Sequence, residues 1–439
     1  MFFQYKKIFI TSFTLLFGAV LFAQNVLTPN EAMRILMEQN FDIRIAQNDR
    51  KIAVNNTSKE LNGYLPTLDA NGGSSGTLGS STQQLFNGQE NKVNDAFSWG
   101  ANASVGANYV IYNQSRELTV DQLKEVLNLT DLQLRQIMEL NLLQTMSVYY
   151  ELAQLREQFD LQKQAIELSR RRKQRAQYRY EYGQGSRLDV LNAQVDIQRD
   201  TVNLLNLEQQ IANSKRNLNF LMGLPMEVDF QVDTSVQYLD EPKYQSLLRE
   251  TMQENIQLLL LKQNLVVQEY DLKLNEATKR PIVSTQANYN FNFQDNAAGS
   301  FVLNSSSRGL NFGVNVAWNL WDGGVRKMRA ENIRVGIESQ LIQREQIQQQ
   351  LETDLANAWQ TYQNALFILE VEKENRTTAQ LNFERTEEQF NAGQISSVEF
   401  RQAQLNLLNA GISQSNAKYN AKVVELQLLQ LSGRLLEEI

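Results

Sequence analysis

Proline placement constrains this chain more than any other feature. Only Pro29, Pro66, Pro225, Pro242 and Pro281 occur in 439 residues, and none falls within 113–180 or 322–390. A proline inside a helix removes a hydrogen bond and clashes with the preceding turn, so both tracts can run unbroken. Each is rich in Leu, Gln, Glu, Lys and Arg, which favour helix, and at a rise of about 1.5 Å per residue each would extend roughly 100 Å. Rods of that length cannot pack into one globule. In the second tract Leu351, Leu355, Ala358, Tyr362, Ala365 and Leu369 alternate four- and three-residue spacings, the seam of a coiled coil. The polar, Gln-rich flanks suit a helix standing in a wall with water on both faces. Tracts at about 29–63, 188–222, 246–279 and 397–433 are half as long, which predicts short helices stacked end to end beside each long one.

A different period fills the gaps between helices. Phe97, Trp99, Ala101, Ala103, Val105, Ala107, Tyr109 and Ile111 alternate with mainly Ser, Gly and Asn. Val283, Thr285, Ala287, Tyr289, Phe291 and Phe293 do the same, as do Leu310, Phe312, Val314, Val316, Trp318 and Leu320. Period two predicts strands with one apolar face and one Asn-rich face. A weaker strand starts after Pro66 with Leu68 and Ala70 and fades in Asn71-Gly72-Gly73-Ser74-Ser75-Gly76. That Gly-rich stretch lacks the Gly-Lys-Ser/Thr ending of a phosphate loop, so it belongs to strand or loop. An uncharged polar face suits a water-filled lumen, and the aromatics Trp99, Tyr109, Tyr112, Tyr289, Trp318 and Trp321 suit the interfacial girdle of an outer-membrane barrel. The polar loops 80–95 and 295–307 would cap two hairpins outside. Four strands cannot close a barrel, and open edges are not tolerated in hydrocarbon, so several chains must share one. Two copies give eight strands, whose interior fills with side chains; three give twelve, enough for an aqueous passage. Transport therefore favours a homotrimer.

The composition narrows the chemistry. With no His and no Cys there is no thiolate, no disulfide and no common metal ligand, so neither a cofactor nor a metal site is expected, and the chain is not expected to be an enzyme. A hydrolase built from Ser and carboxylates finds no nucleophile arrangement. Lys6 and Lys7, the apolar run Ile8 to Phe22 and Ala23-Gln24 have the order of a secretory signal peptide cleaved after Ala23. Its removal leaves 40 basic against 49 acidic side chains, which argues against nucleic acid as a partner.

The chain also reads as a duplication. A shift of 210 residues superposes Gly183-Gln184 on Gly393-Gln394, Ser186 on Ser396, Asp189 on Glu399 and Leu221-x-Gly223 on Leu431-x-Gly433; a shift of 215 superposes Asn40 on Asn255 and Pro66 on Pro281. The expected organisation is a signal peptide at 1–23, a first repeat at 24–223 with a hairpin at about 66–112, an equatorial linker at 224–245, and a second repeat at 246–439 with a hairpin at about 281–321. Each repeat runs helix, hairpin, long helix, turn, helix.

In this order, the Leu65-Pro66 and Arg280-Pro281 steps, the junction Asn319-Leu320-Trp321-Asp322-Gly323-Gly324 and the paired turns at 180–191 and 390–400 resemble the TolC-like outer membrane efflux proteins over essentially the whole mature chain. The resemblance implies a mainly helical fold with four transmembrane strands per chain, a trimeric twelve-stranded barrel in the outer membrane and a helical tunnel across the periplasm. It also implies docking to a periplasmic adaptor and, indirectly, an inner-membrane pump of the RND or ABC type. The chain would be a passive exit duct for small molecules or peptides, with no bond chemistry.

Gly183 and Gly393 supply turns between antiparallel helices, and the resemblance adds Gln184, Ser186, Gln394 and Ser396 as adaptor contacts at the periplasmic mouth. Asp189 and Glu399 read as helix-start carboxylates stabilised by the dipole. In the family an acidic constriction lies there, so Glu399 and then Asp189 become gate or selectivity candidates whose crowding would raise their pKa values. Gln402 stands where a second acid often occurs. Phe390 and Ile395 replace the Tyr and Arg that can latch a closed mouth, which shifts closure towards apolar packing. Arg170-Arg171-Arg172-Lys173, with Arg175 and Arg179, reads as a solvated helix face, with a surface for an acidic partner as the alternative. The alternative function is a trimeric adhesin, which also shares a barrel among three chains but keeps four consecutive strands at its C-terminus.

Overall fold

The computed structural model describes residues 26–239, 243–296 and 302–437. The expected signal peptide, Pro242 and part of the loop at 295–307 lie outside them. A two-residue strand β1 (Val26–Leu27) leads to helices α1 (Pro29–Gln39) and α2 (Phe41–Asn56). The hairpin β2 (Thr67–Gln84) and β3 (Glu90–Tyr112) follows, then α3 (Gln114–Glu181) and α4 (Arg187–Met222). The second half repeats the order with β4 (Gln231–Val232), α5 (Tyr244–Glu254), α6 (Ile256–Ala277), β5 (Ile282–Asp295), β6 (Asn304–Ala317), α7 (Val325–Asn391) and α8 (Ser397–Ser432). The long helices have 68 and 67 residues, about 100 Å each. Helices α1, α2 and α4 pack along α3, and α5, α6 and α8 along α7, while α3 also touches α6 and α8 and so joins the halves.

The short tracts at 29–63 and 246–279 are not single helices. Each breaks at an asparagine in extended conformation, Asn40 (ψ 135°) and Asn255 (ψ 127°), and the first ends at Asn56. Each asparagine starts the next helix: Oδ1 of Asn40 accepts from the Ile43 N–H at 2.9 Å, and that of Asn255 from the Gln257 N–H at 2.9 Å. Their amide nitrogens donate to the carbonyls of Leu221 (2.7 Å) and Leu431 (2.9 Å) at the ends of α4 and α8. One residue thus satisfies an orphan donor of one helix and an orphan acceptor of another.

The core lies at the level of the short parallel pair β1–β4, in which Val26 faces Gln231 and Leu27 faces Val232. Leu142, Met146, Tyr149, Tyr419, Leu426 and Leu429 are buried there. The Tyr149 hydroxyl donates to the Leu27 carbonyl at 2.7 Å and accepts from the Asp233 N–H at 3.1 Å, tying the strands to α3. Buried Glu425 accepts from the Leu239 N–H and the Tyr362 hydroxyl, both at 2.9 Å, and pairs with Lys422. The expected seam of α7 is buried at Leu351, Leu355, Tyr362, Ala365 and Leu369.

The four long strands form one antiparallel sheet in the order β2-β3-β5-β6. Here the strand and loop expectations for the first hairpin change. The Gly-rich stretch does not fade into loop; it is the middle of an 18-residue strand, and the expected loop at 80–95 narrows to 85–89. Its intrinsic β-propensity is poor, but β3 supplies a complete ladder from Thr67↔Asn108 to Gln84↔Glu90, with a bulge between Gly79 and Ser81. Pairing overrides propensity. Among the described residues the two edge strands, β2 and β6, are each paired on one side only.

Candidate functional site

The two helical hairpins α3–α4 and α7–α8 end at the same pole. Gly183 and Gly393 carry φ of 70° and 76°. Behind them the Gln184 N–H donates to the Arg179 carbonyl at 2.7 Å and the Gln394 N–H to the Gln389 carbonyl at 2.9 Å, which closes each helix end with a left-handed residue. Ser186 and Ser396 then cap α4 and α8, accepting from the Leu188 N–H (3.1 Å) and the Glu399 N–H (3.2 Å). These six turn residues are all exposed.

Glu399 closes a complete capping box: its carboxylate accepts from the Ser396 N–H and hydroxyl, both at 2.8 Å. Those bonds hold its pKa below the usual carboxylate value. Within one chain the direction is therefore opposite to the rise expected from crowding, and the helix-cap reading describes the contacts present. Asp189 is half-buried in the first turn of α4. Gln402 is exposed and its side chain donates to Asn406 at 2.9 Å. Phe390 is buried, stacks on Phe400 with ring centroids 4.5 Å apart, and forms an apolar knot with Phe383, Ala403 and partly buried Ile395. The packing around Phe390 is thus apolar. A polar tie accompanies it: the Arg175 guanidinium donates to the side chain and carbonyl of Asn391 and lies 5.1 Å from the Phe390 ring centre.

Just above the tips lies a buried ionic network that the sequence reading missed. Arg401 of α8 grips Asp200 of α4 through both nitrogens of its fork, at 2.8 and 2.9 Å. Arg172 of α3 pairs with Asp196 of α4. Ser169 donates to Asp200 at 3.1 Å, and the Gln404 amide donates to the Ala165 carbonyl (2.6 Å) and to Ser169 Oγ (3.0 Å). Arg172, expected on a solvated face, is 3% exposed. The available signal was its spacing with Ala165, Ser169 and Ala176, a helical stripe that is otherwise small and apolar.

At the opposite pole the sheet register aligns side chains in rows. Ala70, Val105, Tyr289 and Leu310 lie opposite one another, as do Asp69, Gly106, Asn288 and Asn311 on the other face. One face is therefore mainly apolar, interrupted by Arg308 opposite Phe291 and by small residues of β2, and the other is Asn- and Gly-rich. Of the expected girdle residues, Tyr109 and Tyr112 pair with Thr285 and Val283 near the helical end, and Trp99 pairs with Asp295 at the far end of β5. Trp318 and Trp321 follow β6 at the helical end and are exposed. Tyr289 is the exception: seven residues after the start and six before the end of β5, it sits at mid-strand level.

An apolar face, a polar face and a helical tube beneath describe a membrane-embedded duct, and comparison with known proteins agrees. The outer membrane efflux protein family profile matches residues 33–224 and 247–434, nearly all of both repeats. The chain belongs to the outer membrane efflux protein family. The solved outer membrane channels similar to this efflux protein include CmeC of Campylobacter jejuni, with a TM-score of 0.72 and 14% identity over 93% of this chain and 86% of that one. MtrE of Neisseria gonorrhoeae in its open state gives 0.67 and 14% over 93% and 89%. VceC of Vibrio cholerae gives 0.66 and 14% over 92% and 96%. Comparison with curated protein sequences gives no match.

The efflux protein is thus an outer-membrane duct with a periplasmic helical tunnel, and four strands per chain enter a barrel shared by three chains. The adhesin alternative is not supported. Its strands would be consecutive and follow the helical part, whereas here the hairpins are separated by α3, α4, α5 and α6, and α7 and α8 follow the second hairpin.

Proposed function

We propose that this chain is the exit component of a tripartite assembly, with the tips at 181–187 and 391–397 as the periplasmic mouth. Solute delivered by an inner-membrane pump of the RND or ABC type, through a periplasmic adaptor, enters there and leaves through the barrel. Gln184, Ser186, Gln394 and Ser396 would meet the adaptor, while Gly183 and Gly393 shape the turns that carry them. Asp189 and Glu399, one turn inside, would set the charge at the constriction, with Gln402, Phe390 and Ile395 around them. The observation that carries this reading is the joining of the two hairpins at one pole, where Arg175 of α3 holds Asn391 of α7. A mouth closed by a few such ties opens when the hairpins separate.

Planar-bilayer conductance tests it. Glu399→Ala and Asp189→Ala should raise conductance and weaken cation preference; no change in either variant removes the gate assignment and leaves the duct. The Cys-free background permits single-cysteine crosslinking from positions 184 and 394. Capture of a periplasmic partner supports the docking role, and labelling from the cell exterior reverses the assigned orientation.

A further inference from the structure

A cleft of about 810 Å³ lies where the barrel gives way to the tunnel. Its walls are the start of α3 (Gln114, Leu118), the last turn of α6 and the residues flanking β5 and β6 (Pro281, Trp318). We propose that this cleft holds the phosphodiester headgroup of an anionic phospholipid from the periplasmic leaflet of the outer membrane. No part of the duct mechanism uses it.

The level is set by the topology. Gln114 follows β3 by two residues and Pro281 directly precedes β5, so the cleft sits at the periplasmic rim of the spanning strands, where headgroups lie. β3 and β5 are the two central strands of the sheet and β6, which Trp318 follows, is an edge, but every residue of the wall comes from one chain.

The side follows from strand parity. Val283 and Val316 are opposite one another on the apolar face. Pro281 and Trp318 stand one residue beyond the strand ends, two positions from Val283 and Val316, and the alternation carried past those ends puts both in the lipid-facing row. The cleft therefore opens toward the membrane, not the lumen. The indole N–H of Trp318 donates to the Lys279 carbonyl at 3.0 Å, which fixes the ring while leaving it 59% exposed. A tryptophan at this depth is apolar towards the acyl chains and polar towards the headgroups.

The charge is of the right sign. Lys273, Lys279 and Arg280 line the cleft and are exposed. Glu276, the one carboxylate in its wall, is paired with Lys279. Lys273 lies 4.1 Å from the centre of the Tyr270 ring, and among the described residues Arg280 has no carboxylate partner. Two uncompensated cations beside a paired third, in a chain whose mature charge is strongly negative, match an acceptor-only phosphate. Basic clefts beside membrane spans hold anionic headgroups in the same way. Leu118 and Leu272 supply the apolar floor for the glycerol and first methylenes.

Native mass spectrometry of the purified trimer decides it, with equimolar dioleoylphosphatidylglycerol and dioleoylphosphatidylcholine as probes. The wild type should retain phosphatidylglycerol several-fold over phosphatidylcholine, up to one per chain. The triple variant Lys273→Gln, Lys279→Gln, Arg280→Gln should bring the ratio to parity, Lys279→Gln and Arg280→Gln alone should each lower it part-way, and Arg280→Lys should preserve it. Lys124→Gln, on α3 below the cleft, is the control and should leave the ratio unchanged. Should the triple variant not assemble, the two single variants carry the reading. Equal retention of both lipids by the wild type, or an undiminished ratio in the triple or single Gln variants, overturns the proposal. Complete displacement of phosphatidylglycerol by millimolar inorganic phosphate identifies a free-anion site and overturns the lipid source.

Discussion

At the scale of single residues, the charges near the mouth divide into two kinds. Arg401 and Asp200 are buried and bidentate, so removing one partner strands the other in a dry site. Arg401→Met should therefore cost about 3–5 kcal/mol in thermal unfolding of the trimer, and it should raise leak conductance, because α8 loses its anchor on α4. Pairing it with Asp200→Leu should recover most of the stability, since apolar side chains of similar volume replace such pairs at little cost; a double variant as unstable as the single one would contradict this. Glu399 is the opposite case, exposed and, among the described residues, engaged with Ser396 alone. Its pKa is lowered in the fold, first by the Ser396 N–H and then by the hydroxyl. The stabilisation it gives is thus complete above the ordinary carboxylate pKa and disappears as pH falls through the lowered value. Hydrogen-exchange protection of the first turn of α8, corrected for intrinsic rates, should hold from neutral pH to that range and drop in stronger acid, and Glu399→Gln should flatten the profile.

At the scale of elements, the duplication extends to atomic contacts. The residues that align by shifts of 210 and 215 also meet one another in space: Asn40 with Leu221, and Asn255 with Leu431. Gly223 and Gly433 end α4 and α8 at φ of 73° and 75°, and a Cβ would stand 2.3 Å from the Gln39 carbonyl oxygen or 2.5 Å from that of Glu254. Gly433→Ala should therefore destabilise by more than the roughly 1–2 kcal/mol of left-handed strain alone, and Gly223→Ala by a similar amount, both read from thermal unfolding. Equal and negligible effects would mean that these helix ends do not abut. These contacts also show what the sequence could reveal. Proline-free tracts, paired glycine turns and the seam of α7 are local or periodic signals, and α3, α7 and the hairpin tips lie where those signals put them. The helix breaks at Asn40 and Asn255 depend on carbonyls more than 170 residues away, and β2 exists because β3 pairs with it. Arg172 and Arg401 look like surface charge until Asp196 and Asp200 arrive from another helix. In each case the deciding partner stands on another element.

At the scale of the whole molecule, one chain is a third of a wall: β2 and β6 expose unpaired edges that hydrocarbon does not tolerate. The assembled barrel alone satisfies them, and the two-residue period tells which side chains then meet lipid. Leu310 belongs to the row of Ala70, Val105 and Tyr289 at mid-strand; Asn311, its neighbour, belongs to the opposite row with Asp69, Gly106 and Asn288. A cation on the lipid face at the midplane costs about 2–4 kcal/mol, whereas a lumen substitution alters selectivity instead. The same residue type at adjacent positions should therefore have two different outcomes. Leu310→Arg should lower the yield of heat-resistant trimer in the outer membrane, while Asn311→Arg should assemble normally and shift the reversal potential towards anions. Because the copies in a trimer repeat the penalty, the assembly defect of Leu310→Arg should be steeper than one strand alone would suggest. Matching behaviour of the two variants would mean that the sheet does not separate lipid from water, and the duct would lose its wall.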